Sequence, residues 1–161
     1  MKSIQTIVPI LQTLGLTVAT AESCTGGMIA SEFVSVNGVS DTFMAGFVTY
    51  SNESKMRDLG VEEKTIRSYG PVSFECSREM AVGARRRAKT NIGLSTTGIA
   101  GPNGGSKEQP VGLVYISCAI YDVIVTRKFI FHGSRYQIRW SATKSAFQLL
   151  FDCLNHQKEL L

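Results

Sequence analysis

The sequence lacks the residue pairs that metal sites in proteins use. Its four cysteines and two histidines are scattered along 161 residues: Cys24, Cys76, Cys118, Cys153, His132 and His156. They form no C-x-x-C pair and no H-E-x-x-H motif, so we expect no bound metal ion. A chain of this length can bury a core without disulfide bonds. We therefore expect reduced thiols and a cytoplasmic protein.

Long apolar runs and a strong charge are also missing. No segment approaches the roughly 18 uninterrupted apolar residues of a membrane-spanning helix, so we expect no membrane association. Gln12 and Thr13 interrupt the apolar stretch near the N-terminus that imitates a secretory signal. The net charge of +4 is mild and favours neither an anionic small ligand nor nucleic acid. The basic run Arg85–Arg87 contains no aromatic residue, so we do not expect nucleic-acid binding.

What is present is an alternation of helical and strand-like segments along a chain of single-domain length. The pattern predicts helices at about 4–14, 28–36, 53–59, 62–69, 74–88 and 135–155, and strands at 16–21, 43–50, 92–97, 111–121 and 123–131. Strands that alternate with helices, together with one hairpin, indicate an α/β fold. We expect a three-layer α/β/α sandwich with a mixed β-sheet, as a single domain over residues 1–161.

The first candidate site lies where the first strand passes into the second helix, in Thr20-Ala21-Glu22-Ser23-Cys24-Thr25-Gly26-Gly27. Ligands of α/β sheets bind outside the carboxyl ends of the strands. The first amides of a helix have no intrahelical partner, so they could stabilise an oxyanion that forms when Ser23 attacks a carbonyl group. Ser23 or Thr25 could equally be an ordinary helix N-cap, and the segment is not a G-x-S-x-G motif. Cys24 is a further candidate nucleophile, but no histidine is placed to activate it.

A serine nucleophile needs a base, and the best candidate is Lys55. It comes five residues after Tyr50, near the start of a short helix, whereas neither histidine follows a suitable strand. Burial disfavours a charged lysine and lowers its pKa, so a buried Lys55 could accept the serine proton. Tyr50 could stand between the serine and the lysine and relay that proton, or it could donate a proton to the leaving group. The alternative is a solvated Lys55 and a Tyr50 that only ends a strand.

The second candidate site is the loop Gly98–Gly105, which follows another strand and contains four glycines. Such a loop lets backbone N–H groups point at a phosphate. It matches neither G-x-x-x-x-G-K-[ST] nor G-x-G-x-x-G, the motifs of magnesium-nucleotide and dinucleotide binding. The alternative is an ordinary surface connection.

Several motifs together resemble the CinA C-terminal domain family, in order and over nearly the whole chain. They are Thr20–Gly27, Gly46-Phe47-Val48-Thr49-Tyr50-Ser51-Asn52 with Lys55, Leu59-Gly60-Val61, Thr97–Gly105 and Pro110-Val111-Gly112. Pro71 departs from the family pattern, which more usually has alanine there, and it lies outside the catalytic motifs. The family includes nicotinamide mononucleotide (NMN) amidohydrolases, and competence/damage-inducible proteins with a large additional N-terminal domain. Since this chain has no room for that domain, it is similar to the stand-alone amidohydrolases.

The resemblance implies a hydrolase that converts NMN to nicotinic acid mononucleotide and ammonia without any cofactor. It places the catalytic serine, tyrosine and lysine at Ser23, Tyr50 and Lys55. It assigns the phosphate to the glycine-rich loop and to a basic residue of the last helix, with Arg139 preferred to Arg135. The expected substrate-binding residues are Thr25, Gly26, Gly27, Asn52, Thr97, Gly98, Ile99, Ala100, Gly101, Gly104, Gly105 and Arg139.

Two other functions stay open on the sequence. The same pocket could bind a nucleotide without turnover, or the chain could be a competence or DNA-damage partner protein that binds macromolecules. Thermal stabilisation by NMN without ammonia release would indicate the first, and steep salt dependence of binding the second. We expect a homodimer with Phe43, Phe47 or the predicted hairpin at its interface, because compact amidases of this size often dimerise.

Overall fold

The fold is a β-sheet with helices on both faces; a computed structural model describes the backbone of residues 1–158 and the side chains of residues 1–155. The strands are β1 (Val18–Glu22), β2 (Phe43–Val48), β3 (Ile92–Gly98), β4 (Leu113–Ile120) and β5 (Val123–Ile130). The α-helices are α1 (Ile4–Thr13), α2 (Met28–Val34), α3 (Asn52–Leu59), α4 (Glu63–Tyr69), α5 (Phe74–Ala88) and α6 (Arg135–Lys158). A short 3₁₀ helix at Val39–Asp41 precedes β2.

The order of the strands brings three loops to one edge of the sheet. The order is β2-β1-β3-β4-β5; β2, β1 and β3 are parallel, and β4 and β5 form an antiparallel hairpin next to β3. Glu22, the last residue of β1, stands beside Val48 of β2 and Thr96 of β3. Because these three strands run in one direction and end at nearly the same level, the loops that follow them lie together at the carboxyl end of the parallel strands.

Apolar helix faces cover both sides of the sheet. On one side α1, α2 and α6 contribute fully buried side chains such as Ile7, Phe33 and Leu150. On the other side α5 contributes Met80, which packs in a cluster with Leu59 at the end of α3. The result is a three-layer α/β/α sandwich.

The predicted fold class, an α/β sandwich with a mixed sheet, is confirmed, and the predicted elements end within about three residues of the observed ones. One difference matters for the site. β2 ends at Val48 rather than at Tyr50: the Thr49 N–H still donates to the carbonyl oxygen of Glu22, but the carbonyl oxygens of Thr49 and Tyr50 accept hydrogen bonds from the side chain of a lysine. Within residues 1–158, no helix is long and apolar enough to cross a membrane.

Candidate active site

The loops after β1, β2 and β3 line one cleft at the carboxyl end of the parallel strands. Its lining comes from these loops, the start of α3, the segment before α5 and the start of α6: Ser23, Cys24, Tyr50, Asn52, Lys55, Pro71, Val72, Thr97, Gly98, Ala100 and Arg135. The cleft therefore brings together all three residues that the sequence analysis assigns to catalysis. Two residues that it did not assign, Pro71 and Val72, also lie there.

Ser23 and Lys55 form a buried pair in this cleft. Ser23 is the first residue after β1, and its N–H donates to the carbonyl oxygen of Thr96 at 3.0 Å, which extends the strand pairing by one residue. Lys55 lies in the first turn of α3, whose N-cap Ser51 accepts a hydrogen bond from the N–H of Ser54. This helix start directs the lysine side chain inwards, where Lys55 is 1% exposed. Its Nζ lies 3.2 Å from Ser23 Oγ.

The surroundings of Lys55 suit a neutral amine. Its Nζ donates to the carbonyl oxygens of Thr49 at 2.9 Å and Tyr50 at 3.3 Å, and no carboxylate that the structure describes forms a salt bridge with it. Burial lowers the pKa of Lys55 below its ordinary value. A neutral amine has two N–H donors and one lone pair. The two carbonyls can take both donors, which leaves the lone pair for the hydroxyl of Ser23.

Tyr50 lies beside this pair, but its hydroxyl makes no hydrogen bond with either of the two side chains. The residue is 65% exposed, and its hydroxyl accepts a hydrogen bond from Nη2 of Arg135 at 3.2 Å. The main-chain carbonyl of Tyr50 accepts a hydrogen bond from Lys55. Since Lys55 contacts Ser23 directly, a proton relay through the Tyr50 hydroxyl is not needed in this geometry, and donation from that hydroxyl to the leaving group stays a prediction.

The thiol of Cys24 is not activated as a nucleophile. Burial raises the pKa of Cys24 to about 12. A thiol with that pKa is protonated at neutral pH, and the thiolate is the nucleophilic form. Ser23 with Lys55 is therefore the better pairing of nucleophile and base.

The start of α2 is filled by the carboxylate of Glu22, which is fully buried. It accepts hydrogen bonds from the hydroxyl of Thr25 at 2.7 Å and from three main-chain N–H groups, those of Gly27 at 3.0 Å, Ile29 at 3.0 Å and Ala30 at 2.8 Å. Amides at a helix start attract negative charge, and here the chain supplies that charge itself. This role of Glu22 was not predicted; an acidic residue that ends a strand directly before a helix is the sequence signal for it.

Two glycine amides that were expected to bind substrate are used within the protein. The Gly27 N–H donates to the buried carboxylate, and the Gly26 N–H donates to the carbonyl oxygen of Ser23 at 3.2 Å. In the part of the chain that the structure describes, the N–H groups of Cys24 and Thr25 make no hydrogen bond. Thr25 is fully buried and does not line the cleft, which corrects the expectation that it binds substrate. Cys24 does line the cleft, so its N–H is the donor left for an oxyanion next to Ser23.

Of the two arginines at the start of α6, the one that was not preferred for the phosphate lines the cleft, and the preferred one does not. Arg139 donates from Nε to the carbonyl oxygen of Cys24 at 3.0 Å and from Nη2 to that of Thr25 at 2.8 Å, and it does not line the cleft. Arg135 does line it, and its Nη1 donates to the carbonyl oxygen of Gly101 at 2.7 Å. The structure therefore favours Arg135 over Arg139 as the ligand of a phosphate in the cleft. Residues four apart share one side of a helix, so spacing does not distinguish them.

The first part of the glycine-rich loop faces the cleft, and the second part does not. Gly98 and Ala100 line the cleft, whereas Gly101 is buried and Gly104 and Gly105 are exposed. None of these last three lines the cleft, which corrects the expectation for them. The N–H group of Ala100 has no hydrogen-bond partner within the described residues, and Arg135, which binds the Gly101 carbonyl, also lines the cleft. This corner of the cleft combines a cation with a free amide and suits an anion.

Among the other residues expected to bind substrate, some line the cleft and some use their polar groups for hydrogen bonds within the protein. Asn52 lines the cleft, whereas the hydroxyl of Thr97 donates to the carbonyl oxygen of Pro71 at 2.7 Å and the Ile99 N–H donates to that of Leu113 at 2.8 Å. The Ile99 amide is therefore not free for a ligand. Among the described side chains, no group of three His, Cys, Asp or Glu residues could hold a metal ion.

The chain resembles known proteins over most of its length. The family model for the CinA C-terminal domain matches residues 1–154. A Clostridium perfringens protein with the provisional name competence-damage inducible protein is 54% identical over 124 residues, which are 77% of this chain and 30% of that protein. A protein of the same name from Moorella thermoacetica is 47% identical over 150 residues, 93% of this chain and 36% of that protein. The chain thus spans about a third of the length of these relatives.

Solved structures share the fold. A competence/damage inducible protein from Agrobacterium tumefaciens has a TM-score of 0.91 at 38% identity, with 94% of this chain and 93% of that one covered. A CinA superfamily protein from Klebsiella pneumoniae has a TM-score of 0.91 at 29% identity, with 96% and 99% covered. The family model also spans every residue of the cleft. The chain belongs to the CinA C-terminal domain family.

Proposed function

We propose that this chain hydrolyses the carboxamide of NMN to nicotinic acid mononucleotide and ammonia. The observation that carries the proposal is the 3.2 Å contact between Ser23 Oγ and the buried Nζ of Lys55. Nucleophile and base within hydrogen-bond reach are the arrangement that acyl transfer needs. The family resemblance supplies the substrate, and the cation at the cleft suits its phosphate.

The reaction begins with the proton of Ser23. Neutral Lys55 accepts it through their direct contact, while two main-chain carbonyls keep the amine oriented. Ser23 Oγ bonds to the carboxamide carbon, and the cationic pyridinium ring withdraws electrons and so eases the attack. The carbonyl oxygen becomes an oxyanion, to which the N–H group of Cys24 donates.

Lys55 acts as an acid when ammonia leaves and as a base when water attacks. Its ammonium gives a proton to the departing nitrogen, the C–N bond breaks, and ammonia leaves an acyl ester on Ser23. Water attacks the ester carbon and loses a proton to the neutral amine. When Lys55 passes this proton to the serine oxygen, the acid leaves and Ser23 is restored. One water is consumed for each ammonia released.

Arg135 positions the substrate through its phosphate. A guanidinium forms charge-assisted hydrogen bonds with phosphate oxygens, and Ala100, whose N–H has no partner among the described residues, also lines the cleft. The Tyr50 hydroxyl accepts a hydrogen bond from Arg135, so it helps to hold the guanidinium at the cleft. A fixed phosphate in turn holds the pyridine ring near Ser23.

Replacing Arg135 with methionine should raise the KM for NMN about 10- to 100-fold with little change in kcat, because charged hydrogen bonds contribute about 1.5–3 kcal/mol. Nicotinamide riboside, which lacks the phosphate, is the comparison substrate. Wild-type protein should strongly prefer NMN, and Arg135→Met should lose that preference. The control is Arg127→Met on β5, which breaks a salt bridge with Asp152 and leaves the cleft unchanged. An unchanged KM and preference in Arg135→Met would remove Arg135 from the phosphate site.

Replacing Cys24 with alanine should leave kcat/KM within about threefold of wild type, because a protonated thiol takes no part in the reaction. The assay is NMN hydrolysis, with thermal unfolding as the check that Cys24→Ala is folded. An inactive but folded Cys24→Ala would make the thiol the nucleophile and Ser23 a bystander.

Ammonia release from NMN tests the proposed function. Purified protein should produce ammonia and nicotinic acid mononucleotide in equal amounts, measured by a coupled ammonia assay and by mass spectrometry. Thermal stabilisation by NMN without ammonia would instead indicate the nucleotide-binding alternative. No stabilisation and no product would remove NMN as the substrate.

We also propose that the protein acts in the cytoplasm as a homodimer. The four cysteines are free and buried, which suits a reducing compartment. The edge strand β2 exposes Met44 and Val48, and neighbouring exposed apolar side chains often mark an interface. Phe43, which was expected there, instead stacks on Phe33 with ring centroids 4.9 Å apart. Light scattering should give twice the chain mass; a monomer at all concentrations would contradict the dimer.

A further inference from the structure

The turn that carries Ser23, residues 23–27, is held by a cation that does not reach the cleft. Arg139 of α6 donates to the carbonyl oxygens of Cys24 and Thr25, at 3.0 and 2.8 Å. It forms no salt bridge with the side chains that the structure describes. Both carbonyls belong to buried residues. Arg139 thus uses its charge on two consecutive peptide groups directly after the nucleophile.

These contacts set the direction of an amide that faces the other way. In a trans peptide, the N–H points opposite to the C=O of the same unit. The Gly26 N–H shares its peptide unit with the Thr25 carbonyl, so the contact between Arg139 and that carbonyl turns the Gly26 N–H away from Arg139 and towards the Ser23 carbonyl. The N–H of Cys24 shares its unit with the Ser23 carbonyl, which the Gly26 N–H holds. The Cys24 N–H, which belongs to a residue that lines the cleft, is therefore fixed before substrate arrives.

We propose that Arg139 is a positioning residue that aims the Cys24 N–H at the oxyanion, through the Thr25 carbonyl and the Gly26 N–H. The proposal rests on the proposed function, because the oxyanion forms when Ser23 attacks a carbonyl or a related group. The positive charge also draws electron density from the Thr25 carbonyl, which strengthens the Gly26 N–H of the same peptide as the donor that holds the Ser23 carbonyl. Arg139 does not line the cleft, so its effect passes through the turn and not through contact with substrate.

The turn is built to admit a guanidinium. Gly26 has a φ of +60°, and a Cβ at this position would lie 3.2 Å from Nη2 of Arg139. The planar guanidinium spans two carbonyls at a fixed spacing, which the single charged nitrogen of a lysine does not do. On the other side, the carboxylate of Glu22 holds the amide of Gly27. The cationic Arg139 thus binds two carbonyls of this turn, and the carboxylate of Glu22 binds one of its amides.

Arg139→Met and Arg139→Lys, assayed with NMN, test this role. A misdirected amide weakens binding of the transition state alone, so kcat should fall about 10- to 100-fold in both variants, with KM within about threefold of wild type. If only a positive charge were needed to anchor α6, Arg139→Lys would recover kcat. Arg127→Met, which removes a cation far from the turn, should keep the wild-type kcat. A wild-type kcat in Arg139→Lys, or a raised KM with unchanged kcat, would overturn the proposal.

A second measurement separates this proposal from failure of the proposed function. An alkyl fluorophosphonate reacts with an activated serine: Ser23 Oγ bonds to phosphorus, fluoride leaves, the serine proton passes to Lys55, and the phosphoryl oxygen takes the oxyanion position. Intact-mass spectrometry gives the labelling rate, with Ser23→Ala as the blank. We expect labelling of Arg139→Met to be slower by on the order of tenfold.

The outcomes are distinct. If wild-type protein is labelled but does not hydrolyse NMN, the substrate assignment fails, and slower labelling of the Arg139 variants still supports the positioning role. Equal labelling rates overturn that role whatever the substrate is. Thermal unfolding shows whether Arg139→Met is folded, and if it is not, Arg139→Lys decides. A wild-type protein that is neither labelled nor active contradicts both proposals.

Discussion

Replacing Ser23 with alanine should lower the rate of ammonia release from NMN by about 10⁴-fold or more. The serine oxygen is the atom that bonds to the carboxamide carbon, and the neighbouring Cys24 thiol, with a pKa of about 12, does not replace it. The change removes one buried oxygen and leaves the main-chain bond to Thr96 intact, so the fold should survive. NMN should still bind, since the phosphate contacts are unchanged, and calorimetry can measure this.

The matched control for this variant is Ser31→Ala. Ser31 lies on α2, is exposed, and its side chain makes no hydrogen bond with the described residues, so its rate should equal that of wild type. Rapid acid quenching of wild-type protein with NMN should also trap an acyl ester at Ser23, visible by mass spectrometry and absent from Ser23→Ala. A rate in Ser23→Ala above about a tenth of wild type would contradict a serine nucleophile.

Replacing Lys55 with methionine should lower kcat/KM by about 10³-fold, the scale of a lost general base. Methionine fills the buried channel that the lysine stem occupies but offers no basic nitrogen. Lys55→Arg should be similarly inactive, because a guanidinium does not deprotonate in this pH range. Lys64→Met, on the exposed side of α4, is the control and should be fully active. Activity in Lys55→Arg near that of wild type would show that the charge, not the basicity, of this residue matters.

The pH dependence follows from the same lysine. Burial lowers the pKa of Lys55, and the reaction needs its neutral form, so log kcat/KM should rise with pH up to that pKa and then level off. The rise should disappear from the residual activity of Lys55→Met. A profile that falls with rising pH through this range would contradict a neutral amine as the base.

The free energy of unfolding should also depend on pH through Lys55, in a direction that its lowered pKa defines. Between the lowered pKa of Lys55 in the fold and its ordinary value of 10.5, the unfolded chain binds more protons than the folded one. The free energy of unfolding contributed by Lys55 therefore rises with pH across this window and is lost as pH falls to the folded pKa. Buried thiols, whose pKa the fold raises, titrate near the upper end of this window in the unfolded state of both proteins. The slope should therefore appear in the difference between the unfolding free energies of wild type and Lys55→Met, measured by urea denaturation at several pH values.

Much of the site could be predicted because parallel strands bring distant residues to one edge. Ser23 follows β1, and Lys55 follows β2 by one helical turn, so their convergence needs only the strand order and the cap at Ser51. The loop after β3 joins them by the same rule. Strand ends and helix caps leave local signals in the sequence, which is why these positions agree with the structure.

Other parts of the site depend on tertiary contacts that the local sequence does not reveal. Tyr50 contributes its carbonyl to Lys55 and its hydroxyl to Arg135, although a strand-ending tyrosine could have done the reverse. Arg135 and Arg139 share one side of α6, and their roles differ because of the tertiary contact each one finds. Hydrogen-bond partners distant in sequence decide these cases, and residue spacing does not reveal them.

The most direct test is the titration of the Lys55 amine itself. In protein labelled with ¹³C at lysine Cε, one NMR signal should be missing from Lys55→Met and should titrate well below the other lysines. Its midpoint should coincide with the pH at which kcat/KM levels off. A Lys55 signal that titrates together with the exposed lysines would mean an ammonium beside Ser23 at neutral pH and would contradict the mechanism.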